Sequence, residues 1–79
     1  MNLYVALDVS LELTAVCVMD EDGELVLERK VASDPAAIAG LLFDLPERPS
    51  RIGLEAGPLS EWLARGLSRA GLDAVLMET

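Results

Sequence analysis

Two carboxylates, Asp8 and Glu55, each close an apolar run: Leu3-Tyr4-Val5-Ala6-Leu7-Asp8 and Arg51-Ile52-Gly53-Leu54-Glu55. An apolar run of this kind suits a strand covered on both faces, and a carboxylate at its end sits at the rim of the sheet. If the two strands are parallel neighbours, Asp8 and Glu55 stand side by side at the carboxyl edge, where open α/β sheets take their ligands. Adjacent strands lie about 4.8 Å apart, so the pair could ligate divalent ions held about 3.5–4 Å from one another. Such a pair is half of a metal-dependent nuclease site. Taken singly, each acid has a plainer reading. Glu55 could be a surface residue of a tight βα turn bounded by Gly53, Gly57 and Pro58. Asp8 could be a structural acid with a partner, since a carboxylate ending an apolar strand is costly to desolvate alone.

The elements that must position these acids follow from periodicity. After a first strand, about 3–8, a second is predicted over about 14–19. The acidic stretch Asp20-Glu21-Asp22-Gly23-Glu24 then gives an Asp-Gly hairpin signal, because glycine tolerates the positive φ of a tight turn. The third strand returns over 25–32, with Val26, Glu28 and Lys30 alternating against Leu25, Leu27 and Val31, the pattern of an edge strand interrupted by Arg29. Asp34-Pro35 opens a helix with a capping side chain and proline at the first position. Ile38, Leu41, Leu42 and Leu45 form its apolar stripe, and Pro46 stops it. A loop over 46–50 leads to the strand ending at Glu55. Gly57-Pro58 starts a second helix with Leu59, Trp62, Leu63, Leu67 and Ala70 on one face, Gly71 ends it, and a last strand covers 73–77. The order is β-β-β-α-β-α-β, with no internal repeat and no linker.

Composition narrows the classes. Seventy-nine residues make one domain, and 52% hydrophobic content supports a core, though a chain this short buries only about 60–65% of its unfolded surface. No apolar stretch reaches the roughly 18–20 residues that span a bilayer, and no basic leader precedes an apolar segment. A cytoplasmic location is expected. Cys17, the single cysteine, lies in the apolar run Ala15-Val16-Cys17-Val18-Met19, and with no histidine in the chain it is expected to pack as a small hydrophobe. The net charge of −8, with only six Lys and Arg and three aromatic residues, argues against nucleic-acid binding by this segment alone.

Val5-Ala6-Leu7-Asp8-Val9-Ser10, Val16-Cys17-Val18-Met19-Asp20, Gly23, and above all Gly53-Leu54-Glu55-Ala56-Gly57-Pro58-Leu59-Ser60-Glu61-Trp62-Leu63 resemble the N-terminal domain of DEDD insertion-sequence transposases, relatives of the Piv and MooV DNA invertases. The resemblance covers the whole chain, 1–79, as a partial domain. It implies a ribonuclease H-like, RuvC-like fold: a five-stranded mixed sheet in the order 3-2-1-4-5 with two helices, cut short before the C-terminal helices. It also implies that Asp8 and Glu55 are the first Asp and the Glu of a catalytic tetrad binding Mg²⁺ or Mn²⁺. DNA strand cleavage and transfer in transposition or recombination is the implied activity, with DNA and an element-encoded guide RNA as partners. The chain departs from the pattern in lacking the two further aspartates and the serine-bearing domain. Neither Asp73 nor Glu78 matches the former, and no serine here is assigned as nucleophile. Inactivity of the fragment and weak metal binding are therefore expected.

Two other classes stay open. Actin-like sugar kinases and ATPases also begin with a strand ending in Asp, followed by an Asp-Gly hairpin and a later acid at a strand end. Their phosphate-binding turn has glycine soon after the Asp, whereas Asp8-Val9-Ser10-Leu11-Glu12 has none and adds a negative charge. A non-catalytic module that self-associates through an uncovered sheet face or edge, as a homo-oligomer, is the third class.

Overall fold

The computed structural model describes residues 2–77; Glu78 lies outside them. The elements run β1 (Tyr4–Val9), β2 (Leu13–Met19), β3 (Leu25–Ala32), α1 (Pro35–Phe43), β4 (Arg51–Glu55), α2 (Ser60–Arg69) and β5 (Ala74–Met77). The sheet has the order β3-β2-β1-β4-β5, as expected. β1 pairs antiparallel with β2 and parallel with β4; β2–β3 is antiparallel and β4–β5 parallel.

Side-chain alternation sorts the sheet into two unlike faces. Val5 and Leu7, with their partners Val18 and Val16 on β2 and Ile52 and Leu54 on β4, are buried. They meet Ile38, Ala39 and Leu42 of α1 and Leu63 and Leu67 of α2 in one core. Both helices cover that face, α1 towards β3 and α2 towards β5. The opposite face carries Tyr4, Ala6, Cys17 and Met77, and no element among the described residues covers it, so the strands are not sandwiched there as the apolar runs suggested. Cys17 is accordingly half-buried on the uncovered side.

The β2–β3 hairpin follows its turn chemistry. Asp20 Oδ1 accepts from the N–H groups of Asp22 and Glu24, at 2.9 and 3.0 Å, while Gly23 takes φ = 80° and donates its N–H to the Asp20 carbonyl at 3.0 Å. A register shift at Val18/Met19 pairs Met19 with Leu25 and Val18 with Leu27. The extra residue moves Leu25 off the covered face, so it is exposed where plain alternation placed it beside Leu27.

Helix α1 is capped as expected: Asp34 accepts from the Ala37 N–H at 3.1 Å and Pro35 opens the helix. It ends at Phe43, before Leu45, and the ring of Phe43 lies 4.7 Å beneath the Arg48 guanidinium. Helix α2 begins at Ser60, with Gly57-Pro58 in the turn ahead of it. Starting there, its buried face is Ser60, Leu63 and Leu67; Trp62 points outward and is 51% exposed, and Ala70 is exposed too. Gly71 ends the helix at φ = 88°.

The two helices are in close contact at Gly66, where a Cβ would stand 2.4 Å from both Cβ and Cγ of Pro35. Gly66→Ala gains about 1 kcal/mol of helix propensity but forces overpacking that costs about 1–3 kcal/mol. The proline ring cannot rotate away, so the clash wins. Net destabilisation of about 1 kcal/mol, read as a lower urea midpoint at unchanged slope, is the expected result.

Candidate functional site

Leu7 on β1 faces Leu54 on β4, and the next residue along each strand is Asp8 and Glu55. The parallel pairing therefore sets the two carboxylates abreast at the carboxyl edge. They line one cleft of about 300 Å³ together with Ser10 and Leu11 of the β1–β2 turn and the segment Ala56, Gly57, Pro58, Leu59 and Ser60. Both acids are exposed, as a rim position requires.

Each wall of the cleft is fixed by a serine. Ser60 is buried, and its Oγ donates to the Glu55 carbonyl oxygen at 2.5 Å, tying the first residue of α2 to the end of β4. The Ser60 N–H donates to the Gly57 carbonyl at 3.1 Å and closes the turn between them. Gly57 does not adopt positive φ, so the turn does not need glycine for its backbone conformation. On the other wall, Ser33 Oγ donates to the Ser10 carbonyl and shares a 2.8 Å hydrogen bond with the buried Thr14 hydroxyl. The Ser33 N–H donates to the Glu12 carbonyl at 2.9 Å. The turn after Asp8 is thus held to the end of β3.

Sequence reasoning brought Asp8 and Glu55 together but missed Ser60, Ser33 and Thr14. Ser60 carries a readable signal, since a hydroxyl on the apolar face of a helix five residues beyond a strand end must find a backbone acceptor. Ser60→Ala removes that donor and is expected to cost about 1–2 kcal/mol. Hydrogen exchange of the Ala56 and Leu59 amides, faster in the variant, would show that the loss is local to this turn.

Helix α2 has no side chain capping its first turn; its first residue, Ser60, lines the cleft with its N–H already bonded to Gly57, and Glu61 adds an acid to that turn. A second cleft shares Asp8 and Ser10 and adds Glu12, Leu13, Ala15 and Lys30. Lys30 follows from register, because Asp8, Ala15 and Lys30 face one another across β1, β2 and β3. Among the described residues, no group of three or more His, Cys, Asp or Glu side chains is placed to hold a metal ion. Any cation at Asp8 and Glu55 would complete its shell with water or ligand oxygens.

Fold and cleft together define a small α/β domain with a mixed five-stranded sheet and paired acids at its carboxyl edge. No family model matches the chain, and no curated protein does. Solved structures do. One is the PPX-GPPA enzyme of Aquifex aeolicus, with a TM-score of 0.52 and 13% identity over 98% of this chain and 36% of that one. Another is the type II variant of the Aquifex aeolicus Ppx/GppA phosphatase, with a TM-score of 0.49 and 15% identity over 99% of this chain and 36% of that one. The chain spans about a third of their length, and the likeness is one of fold.

These findings correct the transposase expectation. The solved structures that match are Ppx/GppA proteins, not transposases or RuvC-like proteins, and the motif around Glu55 draws no family match. DNA cleavage and strand transfer fall with it. The ribonuclease H-like assignment reduces to the mixed α/β sheet itself. No helix among the described residues is long and apolar enough to cross a membrane.

Proposed function

We propose that this chain is the cation- and phosphate-binding portion of an actin-like enzyme that cleaves or transfers a phosphoryl group, with Asp8 and Glu55 as ligands to a divalent ion. The observation that carries the reading is the parallel β1–β4 register, which sets the two acids abreast in one cleft. The fold likeness to the PPX-GPPA enzyme supports it.

The donor set fits the ion. Magnesium is a hard cation that keeps several waters and is commonly held by one or two carboxylates plus phosphate oxygens. Two exposed acids at a cleft mouth supply that minimum, and Mn²⁺ would serve in the same place. When bound, the ion would neutralise phosphate charge and polarise the phosphorus centre. The absence of glycine after Asp8 matters here. No non-glycine residue among those described takes positive φ, so the Ser10–Glu12 turn offers no left-handed backbone nest for phosphate. Phosphate is instead reached through the cation held by the two acids.

Melting of the chain with Mg²⁺ and inorganic pyrophosphate together tests this. A ligand at ten times its Kd stabilises by about 1.4 kcal/mol, a rise of roughly 5–10 °C for a domain of this size. No rise with both present, or the same rise with pyrophosphate alone, contradicts the reading.

A further inference from the structure

We infer that the ligand this cleft selects is a phosphate monoester of an uncharged apolar group, with the group held between Leu11 on one wall and Pro58 and Leu59 on the other. This deepens the proposed cation site and rests on it: the ion at Asp8 and Glu55 takes the phosphoryl group, and the two walls take the rest of the molecule. Leu11, in the β1–β2 turn, is 79% exposed. Pro58 is exposed and Leu59 half-buried, and all three line the same cleft as the acids. A single exposed leucine is ordinary on a protein surface. Leu11 differs because a second apolar wall lies across the same cleft.

Charge argues against a long phosphate chain. Among the described residues, none of the six Lys and Arg side chains lines this cleft. Pyrophosphate can place both its phosphoryl groups on one ion, which makes it a fair probe of the cation. Any further phosphate would lie beyond that ion in a chain of net charge −8, with no basic residue of the cleft to meet it. Lys30 belongs to the neighbouring cleft, two strand spacings or about 10 Å from Asp8, where Glu12 offsets its charge. An uncharged apolar group meets no such repulsion and gains by leaving water for the two apolar walls.

Both walls stand on anchored turns. The turn bearing Leu11 is tied to the end of β3 by the Ser33 hydroxyl, which donates to the Ser10 carbonyl, and the segment bearing Pro58 and Leu59 is closed by Ser60 on the Glu55 carbonyl. The ring of Pro58 fixes its own φ, so little conformational freedom is lost when a ligand rests against it. The cleft volume of about 300 Å³ lies at the low end of ligand pockets, roughly 300–1,000 Å³. It suits a single ring rather than a large organic group.

Calorimetric titration of the 79-residue chain in Mg²⁺ with phenyl phosphate and with methyl phosphate, esters of like charge that differ in the apolar group, tests the inference. Phenyl phosphate is expected to bind at least about tenfold more tightly. Leu11→Ser is expected to cut that preference to about threefold or less by weakening phenyl phosphate alone, with methyl phosphate unchanged and circular dichroism verifying the fold. Leu13→Ser, at an exposed side chain of the neighbouring cleft, is expected to keep the full preference. Equal affinities for the two esters, with Mg²⁺-dependent pyrophosphate binding retained, overturn this inference and leave the cation site standing. Equal weakening of both esters in Leu11→Ser, or loss of the preference in Leu13→Ser, overturns it as well. If pyrophosphate and both esters fail to bind, the cation site falls and this inference falls with it.

Discussion

Asp8→Asn is expected to remove Mg²⁺-dependent pyrophosphate binding while leaving the fold intact. Changes to residues that merely orient a metal's ligands cost about 10–100-fold in affinity, and loss of one of two direct ligands should reach at least the upper figure. Titration calorimetry would then register no heat at concentrations that saturate the native chain. The same change should not lower the melting temperature of the ligand-free protein, because Asp8 is exposed and sits abreast of a like charge. Surface substitutions of this kind stay within about 0.5 kcal/mol, and relief of repulsion from Glu55 gives this one a stabilising sign. Glu55→Gln should behave alike. A variant that melts as before yet binds Mg²⁺ and pyrophosphate normally would end the assignment of these acids.

The largest structural effect is expected from Leu54→Ala. Leu54 is fully buried on the interior strand β4, between Leu7 of β1 and Leu76 of β5. Truncating a buried leucine costs about 2–5 kcal/mol, depending on how far the site collapses. A domain of this size has about 4–12 kcal/mol in total. The melting temperature should fall by at least about 8 °C, and at the upper end the chain unfolds at room temperature. Because Leu54 immediately precedes Glu55, a folded variant should also bind the cation less well. Urea titration followed by circular dichroism measures the first effect, and pyrophosphate titration of the folded fraction the second.

Much of the architecture was legible because local chemistry and tertiary structure agree there. The Asp20–Glu24 turn, the Asp34-Pro35 helix start and the Gly71 stop each rest on a side chain or a φ value that acts within a few residues. The adjacency of Asp8 and Glu55 is different in kind. The apolar runs made it conditional on parallel pairing, and the strand order came from a resemblance whose functional content the comparisons overturn. Helix α2 shows where local reading fails. Pro58 marks the turn before the helix rather than its first residue, and the helix sets Ser60 on the buried face, its hydroxyl satisfying the Glu55 carbonyl. Trp62, placed inside by hydrophobicity, lies outside. The bare second face of the sheet was hidden for a similar reason, since an alanine or cysteine half-covered by its neighbours reads in sequence like one that is fully packed.

The outward indole has a practical corollary for anyone following denaturation optically. Trp62 is the sole tryptophan and is already half in water in the native state, so its emission will shift little when the core melts. A fluorescence trace would follow unfolding with only a small amplitude. The same fluorophore, two residues from the serine that anchors the cleft wall, is better employed as a native-state reporter of that turn.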